Sequence, residues 1–456
     1  MRTVVFSAVA LFFIFPLTRS DAQPAPKDGD WPQWRGPQRD AICTETGLLR
    51  EWPKGGPALL WDTKKVNKAP SVGVGRSSLA IVDGKIYTQG DFPKNEQVEP
   101  KDKDGKVGKK NVNKGGNGFL HCLDAETGKE IWKTAIGPSV LVSQSPGPRC
   151  TPAVDGDRVY GLTTQGRLVC LKISDGAILW QKELVKELGG NPPGFGGYSE
   201  SPLVDGDKLI CTPGGKKACM VALNKLTGDV YWTCEAPFND GTGFSSIVKA
   251  EVGGVKQYIT LAHKKLGLIG VDAETGKFLW TYNRIANGTS NAPTALVKGE
   301  YVFASTGYGD GGSALLKLVP TGNGGIKVEE QYYFDAKQLQ NHHGGMVMLG
   351  DYIYGGHGHN NGMPFCLEWK TGKFAWNPQR GAGTGSAAVL YADGHLYFRY
   401  ENGEMALVEA SPKGYTLKSS FRPNISGNGW PHPVIYHGKL YLRGDDQILC
   451  YDIKQK

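Results

Sequence analysis

The sequence predicts an all-β fold: an eight-bladed β-propeller of four-stranded antiparallel blades, its ring closed by an N-terminal strand. Three observations predict it. A line of the form "LDAETGKEIW" recurs, with Trp132, Trp180, Trp232 and Trp280 about 50 residues apart, which is a propeller-blade period. Each of these tryptophans follows a glycine by four residues (Gly128, Gly176, Gly228 and Gly276), and Gly372 and Trp376 repeat the pair. Upstream of each line lies a second hairpin, such as "PAVDGDRVYGLTT" or "AVLYADGHLYFRY", with an Asp-Gly-type turn between alternating apolar residues.

Composition agrees. In 456 residues there are 64 glycines and 19 tyrosines, suited to short strands and tight turns, and 39% apolar residues. Charged residues at 21% with 10% aromatics exclude a disordered chain.

In chain order, residues 1–22 have the pattern of a secretory signal peptide. Arg2 precedes an apolar run from Val4 to Leu17, then small and polar residues. The run is shorter than the ~20 residues of a membrane-spanning helix, so no transmembrane anchor is expected after cleavage. The expected localisation is periplasmic or secreted. Residues 23–56 read as an arm outside the ring, with Trp31 and Trp34 of "WPQWRGP" laid on the propeller wall. The propeller proper is expected over 57–456.

Within it, "ALLWDTKK" (58–65) reads as an outermost strand without inner strands before it, while the last repeat stops at "ILCYDIKQK" without an outermost strand. Pairing the two closes the ring and removes an exposed sheet edge. Naming the strands of a blade A to D from the axis outward, strand A begins near Ser78, Thr151, Ser201, Ser246, Pro293, Gly345, Ala387 and Pro433. Trp61, Trp132, Trp180, Trp232, Trp280 and Trp376 fall on D strands, where each can pack on the next blade with its indole N–H bonded to backbone.

The net charge of +8 does not point to nucleic acid. Seven lysines and four acidic residues lie together in 94–116, the composition of a solvated insertion, and basic residues interleaved with exposed aromatics are missing. Cys122, Cys170, Cys366 and Cys450 occupy equivalent C-strand positions and are expected to be small buried side chains rather than disulfides. Cys211 and Cys219 flank one hairpin and are the one candidate pair.

Function is expected on the face of the D-to-A and B–C loops, which vary while the A–B and C–D turns are stereotyped. Arg76, Arg149, Tyr198 and Glu200 precede A strands there and would suit a polar or anionic ligand, or a cofactor. "LQNHHGG" and "GGHGHNNG" add His342, His343, His357 and His359, candidate metal ligands. No nucleophile-elbow, HExxH or phosphate-cradling motif is present.

"LDAETGKEIW" and "VDAETGKFLW" resemble the tryptophan-docking repeats of the PQQ-like propeller family, which includes the quinoprotein alcohol dehydrogenases and the non-enzymatic BamB-type propellers. The resemblance spans about 57–456. It implies an eight-bladed ring and two alternative functions. One is binding or scaffolding of a protein or polymer partner on the variable face by a monomeric chain. The other is quinone-dependent alcohol oxidation with PQQ and calcium as cofactors. The chain departs from the dehydrogenases in having no adjacent cysteine pair and no CxxCH, and from BamB-type proteins in lacking a lipidation cysteine. The first function is therefore the expected one.

Overall fold

The computed structural model describes residues 29–67, 71–98, 110–139, 147–194 and 196–456. The expected signal peptide lies outside them. Eight antiparallel sheets form the propeller: blades 1 to 8 cover 80–138, 153–183, 203–234, 248–282, 296–335, 346–376, 387–421 and 434–452. The last blade is completed by Ala58–Asp62, which pairs antiparallel with Ile448–Asp452 in the register Ala58↔Asp452, Trp61↔Cys450. The predicted closure by an N-terminal strand is thus present.

The recurring Gly and Trp are two halves of one contact between blades. The turn glycines Gly128, Gly176, Gly228 and Gly276 have φ between +71° and +78°, and a Cβ on any of them would lie 2.5–2.8 Å from the ring of Trp61, Trp132, Trp180 or Trp232 of the preceding blade. Only glycine satisfies both demands. The indole N–H groups of Trp61, Trp132, Trp180 and Trp376 donate to the carbonyls of Ala125, Ile173, Lys225 and Ser411 in the next blade. Blade 5 lacks the tryptophan, and Tyr332 takes its place, donating to Trp369 O at 2.6 Å. Trp280 departs from the pattern by bonding Gln257 within its own blade, and the Trp232 indole N–H meets no protein acceptor.

The same contact explains the cysteines. Cys122, Cys170, Cys366 and Cys450 each sit between a B-strand tyrosine and a D-strand tryptophan: Tyr87 and Trp132, Tyr160 and Trp180, Tyr354 and Trp376, Tyr441 and Trp61. A small side chain between them lets the rings approach to 5.9–6.3 Å. All nine cysteines are free and buried. The candidate Cys211–Cys219 pair does not form, because the hairpin register sets Val221 across from Cys211; Cys219 instead adjoins Cys234, whose carbonyl accepts from its N–H. Native protein is therefore expected to be nearly inert to a thiol reagent and to release nine thiols on unfolding in guanidinium; fewer thiols under reductant-free conditions would reveal a disulfide.

The strands bear on two expectations. The lysine-rich insertion grows out of blade 1. Strands B and C of blade 1 continue into it, to Val98 and from Lys110, with Asn95 opposite Asn113. Continued pairing satisfies backbone groups that a loop would leave to solvent; the tip, 99–109, lies outside the described residues.

The arm, secondly, is not outside the ring. It enters the central channel from the A–B turn face, where Asp83 N donates to Asp30. Trp31 bridges Ile81 of blade 1, and Pro32 O accepts from Val154 N of blade 2. At the far mouth the chain reverses through Arg35, Arg39 and Ala41, all with φ near +60°. Ile42–Cys43 then returns parallel to strand A of blade 7, and the Glu45 carboxylate accepts from the N–H groups of His437 and Gly438. A run of non-glycine residues at positive φ persists only where the surroundings over-determine it. Here the inner strands do so, since their exposed polar edges gain partners from the arm.

Candidate functional site

At the channel mouth on the D-to-A face is a cavity of ~530 Å³, within the range of small-molecule sites. The loops leading into every blade but the seventh contribute to it. Arg76 and Arg149 line it, as do Trp34, Phe244, Tyr308 and Trp430. No lining residue bears a carboxylate or a carboxamide.

The guanidinium of Arg76 pairs with Asp445 beneath the lining and lies 5.5 Å from the Trp430 ring centroid. Arg149 donates to Gly196 O at 2.6 Å. Burial lowers the pKa of each to about 10, with nearby Glu401 opposing this at Arg76 and the charge of Arg76 adding to it at Arg149. Both stay charged at neutral pH. Behind them Arg399 and Arg443 are fully buried, bonded to the carbonyls of Pro431 and Gly73 among others. Arginine thus dominates the charge at this mouth.

The structure separates the four residues grouped as cofactor-binding. Arg76 and Arg149 reach the cavity. Tyr198 and Glu200 do not, because side chains alternate along an extended segment: Ser199 and Ser201 face the cavity while their neighbours turn into the wall. Tyr198 donates to Pro213 O at 2.8 Å. Glu200 accepts from Thr212 N, and desolvation raises its carboxyl to about 7 against the opposing influence of that bond and of Arg39 in the arm.

The histidines divide likewise. His342 and His343 line the cavity, and the His359 ring lies tilted against those of His342 and Tyr308, with centroids 4.3 and 4.4 Å away. His357 turns into its blade and accepts from Gln340 N. Among the described residues no group of three or more His, Cys, Asp or Glu side chains is arranged to hold a metal ion. Burial lowers His342 to about 4 and His343 well below its ordinary value. At neutral pH both are uncharged rings, with His342 Nδ1 2.6 Å from Ser386 Oγ.

Sequence reasoning missed Trp34, Phe244, Tyr308 and Trp430. Trp34 carried a weak signal in "WPQW". Its indole N–H donates to Thr294 Oγ1 at 3.0 Å and its ring lies 4.4 Å from that of His432. The tip of the arm therefore forms part of the cavity wall.

The ring, its docking tryptophans and this mouth define the class: a PQQ-like eight-bladed propeller. The chain belongs to the family described as outer membrane protein assembly factor BamB, whose model matches residues 116–378, more than half of it. It is 23% identical over 197 residues to the outer membrane protein assembly factor BamB of Kangiella koreensis, covering 42% of this chain and 45% of that one. It is 26% identical over 215 residues to the tetrathionate hydrolase of Acidithiobacillus ferrooxidans, covering 41% and 39%. The matches span less than half the length of these curated relatives. Among solved structures, the quinohemoprotein alcohol dehydrogenase of Comamonas testosteroni superposes with a TM-score of 0.59 at 13% identity, covering 94% of this chain and 81% of that one, a likeness of fold alone. Among the described residues no helix is long and apolar enough to cross a membrane.

Proposed function

We propose that this chain is an exported, non-catalytic binding propeller that holds a protein or polymer partner against its D-to-A and B–C loop face. The observation that carries the reading is the mouth cavity, in which loops from nearly every blade present arginine and aromatic side chains to solvent while the arm occupies the channel behind them. Such a cavity can anchor a partner group, as buried aromatic and arginine side chains do at interfaces. The hydroxyl paired with a lining histidine is withdrawn from the cavity: Ser386, bonded to His342, is buried and does not line it. Family membership and the N-terminal apolar run support a role in the cell envelope, periplasmic or secreted.

Photo-crosslinking side chains at positions 216 and 289 on this face are expected to give partner adducts in cells, and those at 227 and 275 on the C–D turns are not. The reverse result overturns the reading.

The residues at the mouth do not fit PQQ with calcium. Calcium takes six to eight oxygen ligands, carboxylates and carboxamides foremost, and the cavity lining offers neither. Calorimetric titration with PQQ, with and without calcium, followed by a dye-linked alcohol assay, is expected to show no calcium-dependent affinity and no dye reduction. Calcium-dependent binding with turnover would make the chain an enzyme.

A further inference from the structure

We propose that Cys219 and Cys234, at the joined ends of strands C and D of blade 3, are a reversible dithiol–disulfide pair whose closure pins the two loops that leave the blade there. The inference rests on the reading of the chain as exported, since disulfides are made in oxidising compartments. The nine free thiols of the structure are its reduced state.

Backbone geometry is the first argument. Met220 pairs with Cys234, and the N–H of Cys219 donates to the Cys234 carbonyl at 2.9 Å. Two consecutive residues on the C side thus oppose one of strand D, the arrangement of a β-bulge. Neighbouring strands lie ~4.8 Å apart, within the ~4.4–6.8 Å between Cα atoms that a disulfide requires.

The side chains are the second. Both are buried in one apolar cluster shared by blades 3 and 4. The Cys219 side chain, hydrogen-bonded to that of Cys234, holds the Cys234 thiol far above its ordinary pKa, and burial adds to the shift. Cys122, Cys170, Cys366 and Cys450, by contrast, sit between aromatic rings.

Position is the third. Strand C of blade 3 is Met220–Asn224 and strand D is Val230–Cys234. The pair therefore lies at the open end of the hairpin, where the B–C loop (212–218) and the D-to-A loop (235–247) depart. Both loops belong to the binding face. A groove of ~670 Å³ runs over Ala218 and Thr233, the chain neighbours of the pair, beside the exposed Lys216 and Lys217. Strand D is the outermost of its sheet, so local opening of its end brings the sulfurs to an oxidant in this groove.

The reaction is thiol–disulfide exchange. Cys219 leads, because Cys234 is fully enclosed. Its thiolate attacks one sulfur of an oxidised disulfide carrier or of oxidised glutathione, and the other sulfur leaves as a thiolate. The Cys234 thiolate then attacks the Cys219 sulfur of the mixed disulfide and displaces the second thiolate. One S–S bond forms in the protein and one breaks in the oxidant, which takes up two electrons and two protons.

The test is incubation of the reduced mature chain with oxidised glutathione to equilibrium, then alkylation in guanidinium, a thiol count and peptide mass mapping. The count is expected to fall by two from nine, with a linked peptide pair carrying Cys219 and Cys234, and dithiothreitol is expected to restore it. Cys219→Ser and Cys234→Ser should each keep every remaining thiol under this treatment, whereas Cys211→Ser should still lose two. The oxidised chain is expected to melt a few degrees above the reduced one and to exchange the amides of 212–218 and 235–247 more slowly. An unchanged thiol count, a link between other cysteines, or a link that leaves exchange in these loops unaltered overturns the proposal. Cell fractionation separates it from the export reading: a chain that links in vitro but stays in the cytoplasm keeps the pair and loses export, and an exported chain that does not link does the reverse.

Discussion

Replacing Arg39 by methionine is expected to destabilise the protein by about 3–5 kcal/mol, the cost of removing one member of a buried charged network. Arg39 is buried within the channel. Its guanidinium donates to Ile247 O at 2.8 Å, to Ser201 O at 3.0 Å, to Pro202 O, and to Gln33 Oε1 at 3.0 Å. One side chain thereby ties the arm to blades 3 and 4. It is also the cation closest in effect to Glu200, whose carboxyl is already raised by burial. Methionine fills similar volume but leaves the three carbonyls without their donor and the Glu200 carboxyl without the neighbouring positive charge. Lysine keeps the charge but not the fork, so Arg39→Lys should fall between the two. Urea unfolding of the three proteins measures this. A loss below about 1 kcal/mol in Arg39→Met, the size of an exposed ion pair, would mean that the arm is laid in the channel without holding it.

The contrast between arm and blades explains what the sequence could tell. Blade contacts are periodic because the same two side chains meet at each junction, so Gly176 with Trp132 and Gly228 with Trp180 leave a mark readable without a structure. Even the missing strand was legible, since Trp61 carries the same mark without inner strands before it. The arm has no period. Arg35 and Arg39 bond to backbone carbonyls in blades 3, 4 and 6, and a carbonyl has no residue identity by which to be predicted.

At the site, Arg76 and Arg149 were legible because they hold equivalent places before their A strands. Glu200 was not legible in the same way, because one residue of register in an extended segment exchanges cavity for wall. His357 is near the other histidines in sequence, but the end of its B strand points it into the blade. Trp34 and Trp430 lie almost 400 residues apart and meet only around the closed ring.

That closure carries the second large effect. Trp61→Ala is expected to cost about 3–5 kcal/mol, as for a buried tryptophan truncated to alanine. Trp61 is 7% exposed, stacks edge-on against Tyr441 with centroids 5.9 Å apart, donates to Ala125 O and covers Gly128. Its strand belongs to blade 8 by pairing and adjoins blade 1 by packing, so its loss loosens the only junction where the ends of the propeller meet. Trp376→Ala removes a similarly buried ring, 8% exposed and bonded to Ser411 O at 3.0 Å, but at a junction where the chain runs directly from one blade to the next. Hydrogen exchange should separate the two. In Trp61→Ala, amides of 434–452 and 80–90 are expected to lose protection together, because a blade without its outer strand exposes a sheet edge and opens as a unit. In Trp376→Ala the loss should stay within blades 6 and 7. If both variants lose protection only locally, the ring is held by the sum of its blade junctions and the strand exchange is dispensable to it.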